Sequence, residues 1–233
     1  MDGHICYFFG FALLIVLVVG AVASWQARKL REAMQQFAQE RGLHFEPSDD
    51  RDAPGRMPMR MFDEFTRGRG RKCFNQLAGD LQADGAVHAL VGGCLQYKTT
   101  SGTGKNRKTR THNFTYLLVF LPHARSSIWV RPEHFFDRMA SAVGFNDLDF
   151  ESVEFSDAFH VKADDERFCY DLFHPPMIEM MLRRRPPGFR IEHGWLALIA
   201  GGSRGPEWFG PSLDFAADLL ANWPRHLKTT EAA

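Results

Sequence analysis

The sequence predicts an α+β protein: an apolar N-terminal transmembrane helix, then a mainly antiparallel sheet domain with short helices and a C-terminal capping helix. Three observations carry that reading. Residues 5–23, ICYFFGFALLIVLVVGAVA, run nineteen positions without a charge. The middle of the chain holds several β-branched and aromatic segments with turn-rich flanks, the mark of strands. The last third returns to helical spacing and closes on PSLDFAADLLANW, where Leu213, Phe215, Ala216, Leu219 and Leu220 can cover a sheet. This order of strands and helices favours antiparallel neighbours. A small barrel capped by a helix, of the pleckstrin-homology-like kind, fits the same count.

At about 1.5 Å per helical residue, residues 5–23 measure about 29 Å, against a hydrocarbon core of about 30 Å. A cleaved secretory signal is the competing reading, and AVAS at 21–24 resembles a cleavage site. Such a signal has a basic leader, however, and MDGH carries no Lys or Arg. Arg28, Lys29 and Arg31 follow the run. The positive-inside rule then sets the N-terminus outside and the C-terminal domain in the cytoplasm, with Trp25 at headgroup depth. Gly20 and Ser24 form a small-xxx-small pair that lets two spans pack, so a weak homodimer through the span is expected.

Next, QARKLREAMQQFAQERG spaces Leu30, Met34 and Phe37 as one helical face and ends at Gly42, a natural helix terminator. The span and this stretch read as one long helix. The predicted organisation is an anchor at 1–25, a juxtamembrane helix and domain start at 26–45, a Pro- and Asp-rich linker at 46–60, the α+β domain at 61–228 and a tail at 229–233. Strands are predicted at 72–80, 86–97, 113–122 and 127–131, with a long hairpin loop at 98–110. RPEHFFDRMASAVG opens a helix on Pro132. SDAFHVKAD reads as a strand, DDERFCYDLFHP and PPMIEMMLRRRPP as short helices. FRIEHGWLALIAGG is a hairpin turning at His193-Gly194.

Net charge is zero, with 28 cations and 28 acids, so no nucleic-acid partner is expected. The charges are nonetheless segregated. RGRGRK at 67–72 and KTTSGTGKNRKTR at 98–110 carry no acid, whereas 147–166 carries eight acids against Lys162. Lys98, Lys105, Arg107, Lys108 and Arg110 suit an anionic surface such as lipid headgroups. The four cysteines form no CxxC pair and fit a reducing compartment.

Motifs that would carry chemistry fail on inspection. Asp147, Asp149 and Glu151 begin like a calcium loop, but Ser152 stands where Gly is required and Ala158 where the bidentate Glu belongs. Leu148 and Phe150 alternate with the acids, which reads as a half-buried strand edge. An enzyme using Asp147, Asp149, Glu151, Glu154 and Asp157 with a divalent cation is the alternative. SGTGKNRKT lacks the first Gly and the final hydroxyl of a phosphate loop. GGSRG at 201–205 satisfies G-x-S-x-G in letters, but PEWFGPS, with two prolines, follows where a helix is needed. His134, His160, His174 and His193 read as surface or packing residues. No catalytic residue, metal ligand or cofactor is expected.

Arg131-Pro132-Glu133, Asp149 to Phe155, Phe159 to Asp165 and Pro175 to Met181 together resemble a group of uncharacterised bacterial proteins that pair a membrane anchor with a cytoplasmic domain. The resemblance covers roughly the C-terminal half and implies that Phe150, Phe155, Phe159 and Phe168 are framework. It implies no activity. The expectation is a membrane-anchored interaction or scaffold module, held by residues 5–23 in the bilayer and serving an unknown protein partner. Anionic-lipid sensing by the 98–110 loop is a further alternative.

Overall fold

The computed structural model describes residues 3–133 and 148–228, with the side chains of 3–13, 16 and 105 outside that description. The predicted helix after Pro132, with His134 and Asp147, therefore lies almost wholly outside the described residues. Among the described residues no helix is long and apolar enough to cross a membrane, and much of the predicted span falls on side chains outside the description.

One helix, α1, runs unbroken from Gly3 to Glu40. Its last turns bury Met34, Phe37 and Ala38. Gly42 then takes φ +66 and turns the chain into β1 (His44–Glu46), since only a residue without Cβ adopts that backbone cheaply. Single 3-10 turns at Ala53–Gly55 and Met59–Met61 and a one-turn helix α2 (Asp63–Thr66) follow. The part read from sequence as linker, 46–60, buries Ala53 and Met59, and the residues after it bury Phe62 and Phe65 beside them. Its entry is fixed at Asp50, whose amide and carbonyl both bond Cys73 at 2.8 Å. Burial would raise the Asp50 carboxyl. The Arg56 side chain and the Ala53 and Asp52 amides outweigh that and hold it below its usual range.

Three long strands come next: β2 (Arg69–Ala83), β3 (Ala86–Ser101) and β4 (Lys108–Phe120). After them come β5 (Ile128–Pro132), α3 (Val153–Ala158), β6 (Phe159–Ala163), α4 (Glu166–Leu172) and α5 (Pro175–Arg184). The chain closes with β7 (Phe189–Glu192), β8 (Trp195–Gly201), α6 (Pro206–Ala221) and α7 (Arg225–Lys228). The eight strands form one sheet in the order β1-β2-β3-β4-β8-β7-β5-β6, every ladder antiparallel. The α+β class and antiparallel pairing agree with the sequence. The capped barrel does not: among the described residues β1 and β6 stand at opposite edges of the sheet and do not pair with each other.

Alternation along β4 gives the sheet two covered faces. Leu117 and Val119 point into the larger core, with α1, α6 and the aromatics of α3 and α4. Phe114, Tyr116 and Leu118 point the other way, where Phe65 packs edge-on against Tyr116 at 4.8 Å. Both faces are buried over 114–119, so that half of β4 reads as a nearly continuous apolar run, broken only by Thr115.

Two expectations are corrected, the loop at 98–110 and the exclusion of a helix at PEWFGPS. The 98–110 stretch is mostly strand, since β3 and β4 pair through Ser101↔Lys108 and leave only a short connection. PEWFGPS is the start of α6, with Pro206 in the first turn, where its missing N–H costs no helical bond. Pro211 removes one bond further in. The buried face of Phe209, Leu213, Phe215 and Leu219 outweighs it.

Candidate functional site

The described part of the acidic run, 148–157, is not a strand edge. Residues 148–150 are irregular and α3 begins at Val153. Local chemistry explains the helix. The Ser152 hydroxyl accepts from the Phe155 amide at 3.3 Å as an N-cap, and Glu154 sits in the first turn, where the helix dipole favours an anion. The alternation in burial does survive: Leu148 and Phe150 are buried while Asp149 and Glu151 are exposed. Leu148 donates its amide to the Val161 carbonyl at 2.9 Å, which tethers the run to β6.

Phe150 organises the region. Its ring meets Phe155 at 5.0 Å, Tyr170 at 5.2 Å and Phe173 at 5.6 Å, all edge-to-face. The Tyr170 hydroxyl donates to the Asp149 carbonyl at 3.2 Å. The Ser156 hydroxyl accepts from the Phe150 amide at 3.1 Å. These contacts make the floor of a groove of about 770 Å³ between the 149–152 segment, α4 and α5. Phe150, Phe173, Ile178 and Leu182 supply its apolar lining, and Asp149, Glu151, Asp171 and Glu179 its charge. Among the described residues no lysine or arginine lines it, though His174 and His226 do.

The acids singled out from the sequence are thereby divided. Asp149 and Glu151 face this groove. Glu154 and Asp157 line a second cleft of about 910 Å³, beside Pro132, Phe159, Arg184 and Trp208. Asp147 lies outside the described residues. Among the described residues no three His, Cys, Asp or Glu side chains are placed to hold a metal ion. Tyr170, Asp171, Ile178, Glu179 and His226 were not singled out from the sequence. The legible signal was the Ile178–Leu182 pair, four apart on a helix whose buried face is already filled by Met177, Met180 and Met181.

The G-x-S-x-G stretch does stand in a strand-turn-helix context, between β8 and α6, contrary to the sequence-based reason for setting it aside. Its bonding is structural. The Thr115 hydroxyl donates to the Gly202 carbonyl at 2.9 Å and accepts from the Arg204 amide at 2.8 Å. Ser203 is exposed, and among the described residues no hydrogen bond joins it to a histidine or carboxylate. The described cysteines are buried. Burial pushes the Cys73 and Cys169 thiols up to about 12, so neither is a ready nucleophile.

Fold and groove together define an open antiparallel α+β sheet domain with an acidic, aromatic-floored groove at its α4–α5 side. The same architecture is found in the crystal structure of the mycobacterial trehalose monomycolate transport factor A, TtfA, at a TM-score of 0.51 and 12% identity. The match covers 84% of this chain and 97% of that one, and at that identity it shows the fold alone. No protein-family model and no curated protein matches the chain.

Proposed function

We propose that the protein is a membrane-tethered, non-catalytic interaction module, anchored through residues 5–23 with its domain in the cytoplasm, whose acidic groove receives a cationic, partly apolar segment of a protein partner. One observation carries the tether. The helix that buries Met34 in the domain core continues outward with Leu17 61%, Val19 62% and Trp25 56% exposed. Leu14, Ile15, Val18 and Val22 are exposed beside them. Covering a large aliphatic side chain is worth about 1.5–3 kcal/mol, so such a helix favours hydrocarbon over water by of order 10 kcal/mol. Trp25 carries the Lys29 ammonium 4.3 Å over its ring, an arrangement suited to the interface between lipid and water.

The groove supports the partner half of the reading. Its carboxylates attract cations, and its aromatic floor, with Tyr170 44% exposed, accepts apolar groups or a cation over the ring. The structural neighbour is described as a transport factor, and an accessory role of that kind is compatible with this reading. A photo-crosslinking side chain in place of Tyr170, in the full chain in its membrane, tests it. The expected result is a discrete adduct that disappears with Asp149→Asn, Glu151→Gln and Glu179→Gln combined. An adduct pattern identical to that from position 153, which is exposed outside the groove, would refute it.

A further inference from the structure

The register of the sheet brings together basic stretches that lie far apart in sequence. Arg69 pairs with Lys98, so RGRGRK meets the base of the β3–β4 hairpin. Beyond that pair, among the described residues, β3 and β4 bond only to each other, through Ser101↔Lys108, and form a two-stranded arm past the body of the sheet. Lys98, Arg107, Lys108 and Arg110 are exposed on it, and among the described residues none has an ion-pair partner. Arg67 and Arg69 are exposed at its base.

The arm leaves the domain at the end from which α1 leaves. Leu43, just past α1, touches Gly79, which pairs with Leu90. Further back along α1, Phe37 packs on Phe209 at 6.4 Å, and Phe209 abuts Gly92. Further still, Leu30 abuts Gly205, whose neighbour Arg204 bonds Thr115, the partner of Cys94. Travelling toward the N-terminus of α1 is thus travelling along β3 toward the arm. From Leu30 to Trp25 the helix rises only about 8 Å. From Cys94 to Ser101 the arm extends about 23 Å. With Trp25 at the interface the arm reaches the headgroup layer, and its charges bar it from going deeper. It must lie along the surface.

The far end of the sheet is the β2–β3 turn at Asp84-Gly85. There Lys228 bonds Asp84, two residues from His226 in the groove lining. The groove's His226 accordingly lies toward the end of the sheet opposite the basic arm.

We infer that the β3–β4 arm is a second membrane contact, an anionic-headgroup clamp that fixes the tilt of the domain and turns the acidic groove away from the bilayer. The inference rests on the tether proposed above. A single helix alone leaves the domain free to lean, and a negatively charged leaflet would also repel the groove.

The test is hydrogen exchange of the full chain in nanodiscs of phosphatidylcholine, with and without a third of phosphatidylglycerol. Amides of 99–110 should exchange at least about threefold more slowly in the anionic discs only. High salt, or Arg107→Glu, Lys108→Glu and Arg110→Glu combined, should abolish the difference, while the unchanged exchange of 114–120, where β4 pairs with β8, shows that the variant is folded. Equal exchange in both discs overturns the clamp and leaves the tether standing. Equal slowing by soluble polyphosphate in neutral discs overturns the lipid assignment. A chain that does not enter discs overturns tether and clamp together.

Discussion

Replacing Phe37 by Ala separates a docked helix from one that merely precedes the domain. Phe37 is 7% exposed, stacks near Phe209 at 6.4 Å and carries the Arg41 guanidinium 5.7 Å over its ring. Removing a buried phenyl ring costs about 3–5 kcal/mol, transfer and cavity together. Part of that comes from the lost pairing with Phe209, and Arg41 keeps its 3.0 Å ion pair with Asp214, which limits the damage to packing. With a urea m-value of about 2–3 kcal/mol/M, the unfolding midpoint should drop by roughly 1–2 M. The assay is tryptophan fluorescence of the full chain in mild detergent. Val18→Ala, on the protruding and exposed part of the same helix, should change stability by less than about 0.5 kcal/mol. If Phe37→Ala shifts the midpoint no more than Val18→Ala, the end of α1 is not part of the core and the geometry linking helix, arm and groove falls.

Three further outcomes follow from the same structure. Ser152→Ala removes the cap of α3 and should cost about 1 kcal/mol, read in urea unfolding, with faster amide exchange at Phe155 and Ser156. The Cys73 and Cys169 thiols, raised by burial to about 12, should resist alkylation at pH 8 and react once urea unfolds the chain. Because those values lie above that of an unfolded thiol, their contribution is whole below about pH 8.5 and fades as pH climbs toward 12. A hydrogen bond from Lys228 holds the Asp84 carboxyl below its usual range. Its contribution is therefore present above the unfolded carboxylate range near pH 4 and lost on acidification, and Asp84→Asn should flatten that part of the acid limb. Asn suits the site because Asp84 sits at φ 52, a backbone it shares with few other residues.

Much of the fold was legible because period and punctuation agree with it. Leu30, Met34 and Phe37 marked the face of α1 that the core uses, and His193-Gly194 marked the β7–β8 turn, where both residues have positive φ. The misreadings have physical causes. Asp149, Phe150 and Glu151 alternate as a strand does, yet the Ser152 cap starts a helix before any ladder can form. Pro206 and Pro211 looked like a loop because a proline's cost was counted without the buried face that exceeds it. The hairpin of β3 and β4 was legible but its length was not: Thr99, Thr100 and Thr109 read as part of a loop, although β-branched residues favour a pleated ladder. The groove was unreadable from its acids alone. It depends on Tyr170, Ile178 and His226, from three elements brought together only by folding. The arm, too, needed the register Arg69↔Lys98 to join two basic stretches into one.

The proposed tether is tested most directly by alkaline carbonate extraction of membranes holding the full chain beside a chain lacking residues 1–25. The prediction is that the full chain stays in the pellet after extraction, while the shortened chain, which keeps Met34 and Phe37 in the core, is recovered folded in the supernatant. A full chain released by carbonate would contradict it.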